Sequence, residues 1–119
     1  MTKKILVIDD EPDLRLLVRL ILESEGYEIV EAASGEEGLR LIPDERPRLV
    51  LLDIRLPGMD GWEVLERMRT DHAGEIPVII MSAHSSPRTL EKAKEQGTQG
   101  YLVKPFKEAD LLRYAHQFV

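Results

Sequence analysis

The run Leu49-Val-Leu-Leu-Asp53 constrains this chain more than any other stretch. Four apolar residues lead straight into one acid. An unbroken apolar run reads as a strand buried on both faces, the habit of a parallel sheet covered by helices. The acid then stands where the strand leaves the sheet. Ligands of open α/β sheets bind just beyond the carboxyl ends of the strands. Asp53 is therefore a functional candidate, although alone it could equally be a turn cap.

The same pattern recurs along the chain. Ile5 to Ile8 is an apolar run that ends in Asp9-Asp10. Pro12 suits the first turn of a helix, and Leu14, Leu17, Val18, Ile21 and Leu22 fall on one helical face. Gly26 ends that helix and a short strand follows from Tyr27 to Glu31. Ser34-Gly-Glu-Glu37 has the form of a capping box, with Leu39 and Ile42 facing inward behind it. Gly38 weakens that helix, and Pro43 and Pro47 bracket a loop. After Asp53, Pro57-Gly58 marks a turn. Asp60 and Glu63 open a third helix, whose Val64, Leu65 and Met68 point inward. Pro77 to Met81 is the fourth strand, with Ser82 at its end. Ser86-Pro87 starts a helix in which only Leu90 and Ala93 sit at core spacing, so it should be the least firmly packed. Tyr101 to Val103 is the fifth strand and ends in Lys104-Pro105. Ala109, Leu112, Ala115 and Phe118 carry the last helix.

Five strands alternating with five helices imply an α/β, three-layer sandwich on a parallel sheet with right-handed crossovers. Asp9, Asp10, Asp53, Ser82 and Lys104 then share one edge of that sheet. Packing explains each residue singly but not the set. Three carboxylates at one point repel one another and need a cation. Oxygen ligands suit a hard ion, and Mg²⁺ takes one or two carboxylates together with phosphate oxygens. A hydroxyl and an ammonium opposite suit a phosphoryl group, and an Asp carboxylate can be its acceptor.

Charge and composition narrow the classes. A net charge of −6 argues against a nucleic-acid-binding surface. The chain has no cysteine, so neither disulfides nor thiolate metal sites are available. The apolar run after Lys4 is too short for a signal peptide or a membrane span, which leads to a cytoplasmic assignment with no membrane partner. At 119 residues the chain is read as one domain, 1–119.

On these motifs the chain resembles a response-regulator receiver domain of two-component signalling, over essentially its whole length. Ile8-Asp-Asp-Glu-Pro12, Leu52-Asp-Ile-Arg-Leu-Pro-Gly-Met-Asp-Gly61, Met81-Ser-Ala83 and Gly100-Tyr-Leu-Val-Lys-Pro-Phe106 carry the resemblance. It implies a flavodoxin-like sheet of order 2-1-3-4-5. It also implies that Asp53 accepts a phosphoryl group from a histidine kinase or phosphotransfer protein. Asp10, Asp53 and the Arg55 backbone carbonyl would ligate Mg²⁺, with Asp9 acting through water. Ser82 would hydrogen-bond the phosphoryl group, Lys104 would pair with it, and Tyr101 would be the aromatic that follows the switch. The Lys104-Pro105 bond is commonly cis in the family, which proline permits. The output would pass through the face made by the fourth helix, fifth strand and fifth helix, to a downstream protein or to an effector domain outside this sequence. No organic cofactor is expected, and dimerisation stays open.

Two other classes use similar residues. A Mg²⁺-dependent phosphohydrolase with an Asp nucleophile would place an acid two residues after Asp53, where Arg55 stands. A degenerate receiver that binds constitutively would lack an acid or the lysine, and none is missing. The chain is thus expected to be a switch rather than an enzyme, apart from assisting its own phosphotransfer and dephosphorylation. Arg55 and His84 either stand at the mouth of the site and tune loss of the phosphoryl group, or simply face solvent. Leu16 and Leu20 lie off the core stripe and are expected to pack on a neighbouring helix, although exposed they would suit a docking kinase. His72 and His116 are expected at the surface, and Trp62 half-buried.

Overall fold

The apolar runs become strands, and the alternation of their side chains feeds two separate cores. A computed structural model describes residues 3–71 and 75–119. The strands are β1 (Lys4–Ile8), β2 (Glu28–Ala32), β3 (Leu49–Asp53), β4 (Val78–Ser82) and β5 (Gly100–Val103). The helices are α1 (Pro12–Glu23), α2 (Gly35–Glu45), α3 (Gly61–Asp71), α4 (Pro87–Glu95) and α5 (Glu108–Phe118). All neighbouring strands pair in parallel, in the order β2-β1-β3-β4-β5. Leu6, Ile8, Val50, Leu52, Val78 and Ile80 face one way, onto α2, α3 and Ala93 of α4. Ile5, Val7, Leu49, Leu51, Ile79 and Met81 face the other, onto α1 and α5. This period-two division makes the sandwich.

The helix starts follow their expected chemistry. Ser34 Oγ accepts from Glu37 N at 3.1 Å, and Glu37 reaches back to accept from Ala33 N at 2.6 Å, one residue before the cap. Asp60 accepts from Glu63 N at 3.0 Å, and Ser86 from Thr89 N at 3.2 Å. Gly38 is where α2 meets β1: a Cβ there would lie 2.4 Å from Ile8 Cδ1. The helix gives up propensity for close approach.

Several expectations fail for physical reasons. Pro43 does not open a loop; it lies inside α2, which continues to Glu45 and is stopped by Arg46 in the left-handed region. Proline cannot donate the amide hydrogen bond of that turn, yet the helix runs two residues past it. On α1, Val18, Ile21 and Leu22 are buried, but Leu17 is 47% exposed. It lies about 100° around the helix from Val18, on the flank of the stripe. Leu16 and Leu20 do not pack on a neighbouring helix; they are 52% and 61% exposed. On α5, Ala115 is buried as expected, but Ala109 is exposed and Leu111, not Leu112, is the fully buried leucine. Trp62 is half-buried and His116 exposed, as expected. His72, with Met1 and Thr2, lies outside the described residues. No described helix is long and apolar enough to cross a membrane.

Candidate functional site

Parallel pairing sets the ends of the strands level. Ile8 pairs with Leu52, Asp53 with Met81, and Ser82 with Val103. The first polar residue after each apolar run therefore emerges at one edge. Asp9, Asp10, Glu11 and Asp53 each offer a carboxylate oxygen within 4.8 Å of the others. Asp9 is fully buried and Asp53 is 4% exposed, whereas Asp10 and Glu11 face solvent.

Lys104 arrives from the end of β5 and sits among these acids. Its Nζ donates to Asp9 Oδ2 at 2.7 Å, to Asp53 Oδ2 at 3.1 Å and to Glu11 Oε1 at 3.3 Å. Burial works against the ammonium, but Asp9 and Asp53 outweigh it and hold Lys104 above its ordinary value. Asp53 is the strained partner. Burial pushes its carboxyl above the usual range and the Asp9 charge adds to the push. The N–H of Arg55, donating to Asp53 Oδ1 at 2.9 Å, and Lys104 pull the other way without cancelling it. The Lys104–Pro105 bond is cis.

The turn after β3 is pinned under the site. Gly61 N donates to Ile54 O at 2.8 Å, and a Cβ on Gly61 would lie 2.5 Å from Asp53 O. Only glycine lets the start of α3 approach so closely.

Ser82 and Tyr101 stand apart from the acid knot. Ser82 is 2% exposed, and its Oγ accepts from His84 N at 3.0 Å. The Tyr101 hydroxyl donates to the His84 carbonyl. Both therefore engage the β4–α4 loop. Arg55 and His84 are exposed, yet they line one cavity of about 320 Å³ with Ile54, Trp62, Ser82 and Thr89. A larger cavity of about 600 Å³, lined by Leu39, Ile42, Pro43 and Met68, opens between the far ends of α2 and α3. It has no part in the acid cluster. Glu11 is the member that sequence reasoning missed; its place directly after Asp9-Asp10 was the available signal.

The donor set is all oxygen, partly buried and crowded with negative charge, and so fits a hard divalent cation. The family model described as response regulator receiver domain matches residues 5–116. Sporulation initiation phosphotransferase F of Bacillus subtilis is 42% identical over 106 residues, covering 89% of this chain and 85% of that protein. Transcriptional regulatory protein AfsQ1 of Streptomyces coelicolor is 38% identical over 85% of this chain, which spans only 44% of that regulator. The chemotaxis protein CheY4 of Vibrio cholerae superposes with a TM-score of 0.93 at 29% identity, covering 100% of both chains. The receiver domain of NtrX from Brucella abortus does so with 0.87 at 40% identity, covering 95% of each. A level sheet edge with its acids and lysine, and a family match along nearly the whole chain, lead to one conclusion: this chain belongs to the receiver-domain family of two-component response regulators.

Proposed function

We propose that residues 1–119 form one phosphoryl-accepting switch whose acceptor is Asp53. The observation that carries this reading is the knot itself: a buried carboxylate drawn to 3.1 Å from a lysine and crowded by a second buried acid. Such an arrangement destabilises the unmodified charge and has its counter-cation already in place. In the transfer, an Asp53 oxygen bonds to phosphorus as the bond from phosphorus to the donor's imidazole nitrogen breaks. The electron pair of that bond stays on the nitrogen. Asp10, Asp53 and the Arg55 carbonyl would hold Mg²⁺, with Asp9 acting through water. When bound, Mg²⁺ neutralises charge on the phosphoryl oxygens. Lys104 exchanges one acid partner for a phosphoryl oxygen, and Ser82 turns its hydroxyl from the His84 N–H towards another.

Hydrogen bonds to charged groups contribute about 1.5–3 kcal/mol each. Two new ones approach the roughly 5.5 kcal/mol needed to invert a two-state equilibrium from 1:99 to 99:1. Lys104 already spends part of its share on Asp53, so the Ser82 movement and its consequence at Tyr101 carry more of the shift. The moving parts are α4, β5 and α5, as the thin packing of α4 suggests. Exposed Leu16, Leu17 and Leu20 on α1 offer an apolar face to a histidine kinase or phosphotransfer protein. The setting is cytoplasmic, with output to a protein target or an attached effector.

Intact mass after incubation with a small-molecule phosphodonor tests the reading. One added phosphoryl group, dependent on Mg²⁺ and absent from Asp53→Asn, is the expected result. No adduct, together with no Mg²⁺ binding, would sink it in favour of a constitutive binding module.

A further inference from the structure

Two adjacent acids leave β1 with opposite fates, Asp9 buried and Asp10 exposed. The turn that carries them must therefore be held firmly. The Asp9 N–H donates to Ala32 O at 3.0 Å, which continues the pairing with β2. Beyond this point no strand is left to take the Asp9 carbonyl. Arg15 takes it instead: its Nη1 donates to Asp9 O at 2.6 Å. The Asp9 carbonyl and the Asp10 N–H belong to one rigid peptide plane. A bond to that carbonyl therefore fixes the direction in which the chain enters Asp10.

Arg15 is itself aimed. Its Nε donates to Glu31 Oε1 at 2.9 Å, at the end of β2, and its side chain is only 15% exposed. The other oxygen of Glu31 accepts from Arg19 Nε at 2.7 Å, and Arg19 also bonds Glu23. Burial works against the Glu31 charge, but Arg19 and Arg15 overcome it and hold its carboxyl below the usual range. Helix stability does not account for the cation, because a positive charge near a helix N-terminus opposes the dipole.

We infer that Arg15, aimed by Glu31, is a positioning residue for divalent-cation binding: by clamping the Asp9 carbonyl it sets the Asp10 carboxylate towards Asp53. The inference rests on the reading that this acid pocket binds Mg²⁺. It makes a prediction of unusual sign. Removing a cation beside an acidic pocket should tighten Mg²⁺ through the field alone, and more so because Glu31 would lose a partner. Loss of positioning should weaken it. The two effects oppose each other, so the direction of the change decides.

The test is a calorimetric Mg²⁺ titration of the whole chain and three variants, each checked for folding by its amide spectrum. Arg15→Ala should weaken Mg²⁺ by about tenfold, the low end for groups that orient metal ligands from outside. Arg15→Lys should fall between, because an ammonium is a point donor without the planar fork that meets two fixed acceptors. It keeps the test alive should the alanine variant fail to fold. Arg19→Ala loses two ion pairs of the same network but not the Asp9 contact, and should keep the parent affinity while melting lower. Unchanged or tighter binding in Arg15→Ala would overturn the inference, as would an equal loss in Arg19→Ala. Absence of Mg²⁺ binding by the parent would instead remove the pocket reading on which it rests.

Discussion

The two halves of the functional sheet edge are built to opposite standards. On the side of β1 and β3, both buried acids are tied. Asp9 is bonded through both carboxylate oxygens and through its backbone N–H and carbonyl, Asp53 through both oxygens, and Gly61 presses α3 beneath them. On the side of β4 and β5, Ser82 makes one contact to its own loop, Tyr101 reaches a loop carbonyl, and α4 buries only Ala93. A group that must hold charge at a fixed geometry needs a preorganised shell. A segment that must rearrange needs low local stability. The proposed switch would make both demands, and the tied and the loose contacts lie on different strands.

The largest expected effect breaks the tied half. Lys104→Met keeps most of the side-chain packing but leaves Asp9 and Asp53 without their cation. Removing one partner of a buried ion pair costs about 3–5 kcal/mol, and urea unfolding at neutral pH should show a loss in that range. The loss should shrink as pH falls and the uncompensated carboxylates protonate. In the parent, the Lys104 contribution is complete below its ordinary value of 10.5 and is lost only as pH climbs through the raised folded value. A variant as stable as the parent would mean that the acids tolerate one another.

A matched pair of truncations compares the halves directly. Leu65 of α3 is fully buried, whereas Leu90 of α4 is half-buried. Leu65→Ala should cost about 3 kcal/mol and Leu90→Ala about 1 kcal/mol. Equal losses by denaturant titration would remove the asymmetry on which the proposed switch depends. Asp53→Asn should move the other way and raise the melting temperature at neutral pH without divalent ions. A raised folded value makes the ionised carboxyl a cost, absent below about the ordinary 3.8 and complete above the folded value. The gain should therefore disappear in acid; a gain that persists there would locate its cause elsewhere.

The sheet edge was legible because the strands that carry site residues are apolar runs whose first polar residue names their end: Ile8 then Asp9, Leu52 then Asp53, Val103 then Lys104. Strand order and the cis Lys104–Pro105 bond came only through family resemblance, since no local pattern encodes which strands become neighbours. Helix faces were less legible. Leucine supplies both the stripe and its flank on α1, so Leu17 looked like core, and only the position of the sheet decides. On α5, Leu111 and Ala109 are separated by a rotation that periodicity without an anchor cannot set. Arg15 was invisible for another reason: its partner is the carbonyl of Asp9, and a backbone acceptor leaves no mark in a sequence.

The smallest effect tests what holds the loose half in place. Lys92 of α4 lies 4.6 Å from the centre of the Trp62 ring at the start of α3. A cation over an aromatic face at an exposed site is worth about 0.5–1 kcal/mol. Beside buried Ala93 and half-buried Leu90, that is a substantial addition to what anchors α4. Lys92→Gln should therefore barely change global stability but should speed amide exchange along α4 more than along α3, and shift Trp62 emission. Lys94→Gln is the control: it sits in the same last helical turn and gives up the same dipole interaction, but it is not placed over Trp62. If Lys94→Gln loosens α4 as much as Lys92→Gln does, the helix end rather than the tryptophan is the anchor, and Trp62 reports the motion without restraining it. If only Lys92→Gln does so, the contact with Trp62 helps to set the resting position of α4 and is weak enough for a displaced β4–α4 loop to overcome.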